Sequence, residues 1–239
     1  MVSLRELSGH DEECVGGTST DVAIDLLDRL LVNAPHSVLG PGAAARLPAP
    51  DRDRLLAMVY RDNLGKRVES TLSCAGCDAS FDIDFQLEEF VESRTAEVPA
   101  IDADGYLPVE NGGRIRPPTG EEELAVVHLS PEAREPALLR QCYEPNGEDH
   151  SEKALETLER DAPLLELDVD TRCPECGLQQ RARFSLQSYL LERIANERRQ
   201  RAGEIHRLAR AYGWSLHEIL GLSRTQRRVF VSLIDRESH

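Results

Sequence analysis

Four of the six cysteines fall in two identically spaced pairs, Cys74-Ala75-Gly76-Cys77 and Cys173-Pro174-Glu175-Cys176, roughly 100 residues apart. Each pair lies between two short segments with strand character. Residues 68–73 lead into the first pair, and Phe81-Asp82-Ile83-Asp84-Phe85 leaves it with period-two alternation. Leu165-Glu166-Leu167-Asp168-Val169-Asp170 leads into the second in the same way, and Arg181-Ala182-Arg183-Phe184 leaves it. Alternation at period two is the mark of a half-buried strand. The second pair is followed by Gly177, a residue type that closes such turns in a left-handed conformation. The reading is therefore two β-hairpins, each with a cysteine knuckle at its tip, forming halves of one unit.

Two knuckles presenting two thiolates each are the layout of a zinc ribbon, with one tetrahedral Zn²⁺ on Cys74, Cys77, Cys173 and Cys176. The two-residue spacing lets backbone N–H groups point at the sulfurs and favour the deprotonated form that zinc needs. A long insertion between the hairpins adds little loop-closure entropy. Disulfides would require an oxidising compartment, a redox CxxC usually opens a helix, and a catalytic zinc keeps one open position. The metal is accordingly expected to be structural, replacing a core that so small a ribbon lacks. Cys14 and Cys142 read as unpaired thiols.

The chain has 239 residues, ample for a buried core. Residues 1–18 are polar and read as a mobile lead-in, and 19–65 as a helical N-terminal segment. Its first helix carries apolar residues at 23, 26, 27, 30 and 31, and its second ends at Gly65 as the left-handed cap. The ribbon occupies 66–88 and 164–184. Between them, 89–163 is an acidic insertion broken by Pro99, Asn111-Gly112-Gly113 and Pro117-Pro118, with a short helix after Ser130-Pro131-Glu132 and another over roughly 151–161. Residues 185–239 form an Arg-rich helical segment, with one helix predicted over 185–203. Capping boxes at Ser215/Glu218 and Ser223/Gln226 open its last two helices. The fold class is α+β.

The net charge is −15, from 43 acidic against 28 basic residues, but it is unevenly spread. Residues 177–239 carry 12 Arg against 6 acids, and the remainder is strongly acidic. An acidic body repels phosphate polymers, whereas the Arg-rich end could dock on an acidic surface, its own body included. Ala209, Gly213, Ile219 and Leu222 do have helix-turn-helix spacing, which makes a nucleic-acid-binding regulator the alternative reading. Against it, the would-be reading helix offers Leu216, His217 and Glu218 in place of base-reading Arg, Asn or Gln. The ribbon strands bear Asp82, Asp84, Asp168 and Asp170. Phosphate-binding loops, nucleophile elbows and paired metal-binding histidines are all missing from the sequence, so no enzymatic activity is expected. No apolar run approaches the ~20 residues of a membrane span, and residues 1–13 lack the basic and apolar regions of an export signal.

Two stretches carry a resemblance. Tyr212-Gly213-Trp214-Ser215-Leu216-His217-Glu218-Ile219-Leu220-Gly221-Leu222, followed by Arg227-Arg228 and an apolar helix, resembles a short protein of phage-tail-like contractile injection systems. The order Pro50-Asp51-Arg52-Asp53, Leu64-Gly65, CxxC, Pro117-Pro118-Thr119-Gly120, CxxC is similar to baseplate-associated zinc-ribbon proteins of T4-like phages. The likeness runs from about residue 45 to 236 and departs at Gly213, where the short proteins carry a bulkier residue. It implies a non-enzymatic component or assembly factor of a contractile-tail baseplate, made in the cytoplasm and able to enter a phage-tail-like particle. Its partners would be baseplate, tail-tube or spike proteins, met through Tyr212, Trp214, Leu216, Ile219, Arg227, Arg228 and Phe230. The competing reading of the apolar members is that they pack the helices together.

Overall fold

The computed structural model of the protein describes residues 2–35, 37–95, 101–110 and 112–237. Pro99 and Asn111, read above as breaks in the insertion, lie outside the described residues. In chain order the first elements are α1 (Gly9–Cys14), α2 (Thr20–Leu30), α3 (Ala49–Leu64), β1 (Arg67–Ser73), β2 (Ser80–Gln86) and α4 (Leu87–Ser93). The middle of the chain forms β3 (Leu107–Pro108), β4 (Arg114–Ile115), α5 (Gly120–Val126), α6 (Pro131–Cys142), β5 (Tyr143–Glu144) and α7 (Ser151–Asp161). Then follow β6 (Glu166–Arg172), β7 (Gln179–Ser185), α8 (Leu186–Asn196), α9 (Arg198–Tyr212), α10 (Leu216–Gly221) and α11 (Arg224–Glu237). The strands make three small antiparallel sheets, β1-β2, β3-β4-β5 and β6-β7, so the fold is α+β.

The chain divides into two compact units. Unit 2 comprises Ala45–Ala57 and Gly65–Leu186. Its two hairpins are copies of one another at an offset of 99 residues: Arg67 pairs with Gln86 and Ser73 with Ser80, as Glu166 pairs with Ser185 and Arg172 with Gln179. Each hairpin runs straight into a helix whose first residue is a leucine, Leu87 in α4 and Leu186 in α8. Phe85, Phe90 and Phe184 meet edge to face, with centroids 5.0–5.6 Å apart, and join the hairpins below the knuckles. The insertion has its own small core of Leu107, Val109, Ile115, Tyr143 and Ala154. Insertion and hairpins thus share one unit with the start of α3. There Asp53 Oδ2 accepts the Leu165 N–H at 2.9 Å, and Arg52 pairs with Glu123 at 2.7 Å.

Unit 1 comprises Met1–Ala44, Met58–Leu64 and Gln187–His239. A mobile lead-in was expected over 1–18, yet residues 2–18 are folded into this unit. Leu7 is fully buried and Ser8 caps α1 through a reciprocal bond pair with Asp11. The Gly9 N–H donates to Leu222 O and the Arg224 N–H to Leu7 O. Polar composition misled here because α1 is buried through charge pairing: Glu12 is 1% exposed against Arg224 and Arg227.

The helix predicted over 185–203 breaks at Glu197, between α8 and α9, and Gly203 lies inside α9. Nothing local marks that break. The Glu197 carboxylate is held by Arg193, Arg224 and Arg228. Gly213, with φ +70°, closes α9, and both capping boxes form as read. Gly65 departs from the left-handed cap: its φ is +110° and ψ −168°.

Candidate metal centre

The backbone of the two knuckles is the same. The Cys74 N–H donates to Ala79 O and the Asp78 N–H to Cys74 O; likewise Cys173 donates to Leu178 and Gly177 to Cys173. The residue after the second cysteine is left-handed in both, Gly177 with φ +74° and Asp78 with φ +55°. These tight turns bring the four sulfurs together, and the four Sγ atoms lie within 4.8 Å of one another. Cys74 and Cys176 are 3.5 Å apart and Cys77 and Cys173 3.7 Å. Disulfides, at about 2.05 Å, are excluded by those separations. Sulfurs 2.3 Å from a tetrahedral zinc would be spaced by about 3.8 Å, so the cluster has the size of such a cage. The structure thereby brings together the four residues singled out by spacing, and leaves Cys14 and Cys142 apart from them.

Cys74 and Cys173 are buried, whereas Cys77 and Cys176 face solvent. The Cys173 thiol is lowered to about 7, first by the Cys176 N–H and then, against burial, by the Glu175 N–H and the neighbouring thiols. At Cys77 the Ala79 N–H favours the thiolate, but hydrogen bonding with the other three sulfurs and burial outweigh it and push the group up to about 12. Four sulfurs this close cannot all carry a negative charge unaided. A divalent cation removes the conflict by displacing the remaining protons. All four donors come from the protein and none of the four tetrahedral positions is left for a substrate, so this donor set suits a structural ion.

Two features of the centre were invisible to motif reading. The Gln180 side chain crosses from β7 to the first knuckle, accepting from Ala75 N–H at 3.0 Å and donating to Ser73 O at 3.1 Å. A Cβ at Gly76 would stand 2.9 Å from a Leu178 methyl, so glycine lets the second knuckle approach the first here without moving that exposed side chain. Neither repeats in the other copy, where Glu175 stands at the place of Gly76 and Phe81 at that of Gln180, so no signal in the sequence marks them.

No protein-family model, curated protein or solved structure matches the chain.

The residues proposed for partner contact separate into two groups. Tyr212 and Leu216 are exposed, and Tyr212 stacks on Trp214 while both meet Phe230 edge to face. Trp214 and Phe230 also pack against the core cluster of Leu208, Ile219 and Val231, so they serve the interior and border the surface. Ile219 is fully buried, and Arg227, at 1% exposure, is fixed by Glu12 and Glu204. Both are therefore corrected from contact residues to interior ones. Arg228 keeps 44% of its side chain in solvent. Val229 and Leu233, one turn apart on α11, are 52% and 40% exposed and extend the apolar surface beyond the residues first named.

Proposed function

We propose that Cys74, Cys77, Cys173 and Cys176 hold one structural Zn²⁺, that the paired hairpins are a zinc ribbon, and that the protein is a non-enzymatic adaptor or assembly factor of a contractile-tail baseplate. The four-sulfur cage carries the metal reading, because its spacing and its closed donor set match tetrahedral zinc. Zinc there replaces hydrophobic burial: every second residue of β2 is exposed and the hairpins have little core of their own. The tail reading rests on the resemblance of 205–234 and on the order of motifs from Pro50 to Cys176. An aromatic and aliphatic surface at Tyr212, Leu216, Val229 and Leu233 suits it, since aromatic anchors dominate protein interfaces. No helix among the described residues is long and apolar enough to cross a membrane. The site of action in this reading is the cytoplasm or a particle assembled there.

The helix-turn-helix alternative is poorly supported. The reading helix would be α10, only six residues long, and Arg201, Arg224 and Arg227 are buried against carboxylates where they cannot reach phosphates.

Elemental analysis of the purified chain is expected to give one zinc per molecule. Co-expression with tube, sheath and spike proteins should recover a complex that Leu216→Asp or Tyr212→Asp weakens. A chain that stays alone with each of these partners defeats the tail reading while leaving the zinc reading intact. Salt-sensitive binding of DNA or RNA would favour the alternative.

A further inference from the structure

Unit 2 contains a cleft of about 570 Å³ that none of the features above uses. One wall is apolar and stiff, built from Pro50, Pro117, Pro118 and Leu164. The other is β6, lined by Glu166, Leu167 and Asp168. Among the described residues β6 pairs only with β7, in a two-stranded sheet, and no described strand lies along its second edge.

The register shows which backbone groups that edge offers. The Leu186 N–H bonds Leu165 O, and the Cys173 N–H bonds Leu178 O, which places the odd-numbered residues of β6 in the bonded pairs toward β7. Glu166, Asp168 and Asp170 therefore turn their N–H and C=O groups away from β7. Arg94, which lines the cleft, donates to Glu166 O and so locates the cleft along this edge. The main chain of Asp168 and Asp170 is bonded to no described residue on that side. Unpaired strand edges beside an apolar groove are the geometry of strand addition.

Charge specifies the occupant. Asp168 and Glu159 line the cleft, are exposed, and have no cation within ion-pair distance among the described residues, although Arg183 and Arg181 act on Asp168 from across the hairpin. Arg183, by contrast, is matched by Glu166, and Glu123 by Arg52. Unit 2 as a whole carries 15 Lys and Arg against 29 Asp and Glu. We propose that the outer edge of β6 takes an extended, Lys/Arg-bearing segment of a partner protein as an added strand. Its apolar positions face the proline wall and its alternate cationic positions meet Asp168 and Glu159. The inference does not depend on the contractile-tail reading; it asks only that unit 2 be folded.

The test uses the full, metal-loaded chain and an acetylated, amidated peptide of about seven residues alternating Lys and Val, long enough to span Glu166–Asp170 at roughly 3.3 Å per residue. Peptide binding should be measured by calorimetry and by amide exchange. The expected result is binding that weakens with salt, slows exchange at the Asp168 and Asp170 amides, and falls by about tenfold, the equivalent of roughly 1.4 kcal/mol, in Asp168→Lys. Asp168→Pro should abolish it, because proline deletes only an outward N–H and is tolerated on such an edge. Should that variant misfold, Asp168→Lys and the exchange data decide alone. Equal binding of a Glu/Val peptide, binding without protection of those two amides, or no binding by either peptide overturns the proposal. Self-association of the chain through the same edge, lost in Asp168→Lys, overturns it in favour of a second copy.

Discussion

Glu12 sits at 1% exposure with its carboxylate 2.7 Å from Arg224, in contact with Arg227, and 4.0 Å from Arg201. Removing one member of such a set leaves uncompensated charge in a dry interior, which is strongly destabilising. Glu12→Ala is expected to cost about 3–5 kcal/mol in urea unfolding; a loss under about 1 kcal/mol would show that water already compensates the cluster. Asp53 presents the opposite case, a carboxyl that burial raises from 3.8 to about 6 despite the bond from the Leu165 N–H and the nearby Arg52. Its folded pKa is above its unfolded one, so the native state binds the extra proton between those values. Its contribution is then fully present below pH 4 and is lost as pH rises through 6. The difference amounts to about 3 kcal/mol at 1.36 kcal/mol per unit. Asp53→Asn keeps an acceptor for Leu165 without the charge. It should be more stable than the parent at pH 7, with the gap closing by pH 4 in paired denaturation curves; a gap independent of pH would refute the assignment.

At the level of elements, the two knuckles invite a paired experiment. Gly177 and Asp78 occupy the same left-handed position, where glycine is unstrained and a side chain costs about 1 kcal/mol. Asp78→Gly is therefore expected to stabilise the metal-loaded protein by up to about 1 kcal/mol, and Gly177→Ala to destabilise it by about as much, in thermal melts. Ser215→Ala should cost about 1 kcal/mol through the lost cap of α10. These elements were legible because their signals are local: period-two alternation, a two-residue cysteine spacing, a serine three residues before a glutamate. The four strands of the hairpins and the helix Ser151–Asp161 match their predicted ranges to within one or two residues. The two-residue strands of the β3-β4-β5 sheet were not legible, since a pair of residues has no period. Nor was the break at Glu197, whose carboxylate is held by arginines on α8 and α11. The inward turn of Arg227 was hidden for the same reason: its partner Glu12 is 215 residues away.

For the whole molecule, the division of charge by sequence is replaced by a division by unit. Unit 1 is nearly neutral, 13 Lys and Arg against 14 acids, because the Arg-rich end folds with the acidic beginning of the chain. Almost all of the −15 therefore belongs to unit 2, which also holds the four clustered cysteines. Metal removal should consequently be felt unevenly. With a chelator, or in Cys74→Ser, amide protection is expected to fall across β1, β2, β6 and β7 and to persist in α9 and α11. Uniform loss would mean that the units unfold as one. The partition also sets a timetable for synthesis. All of unit 2 precedes residue 187, whereas α1 waits for arginines that lie more than 210 residues downstream. At 5–20 residues per second the 38 residues from 187 to Arg224 take about 2–8 s to be made. During that interval the ribosome holds a chain whose cysteine hairpins can already close on metal, while Leu7 and Glu12 still lack their partners. A nascent chain of this kind would expose its first helix to chaperones long after its middle is finished.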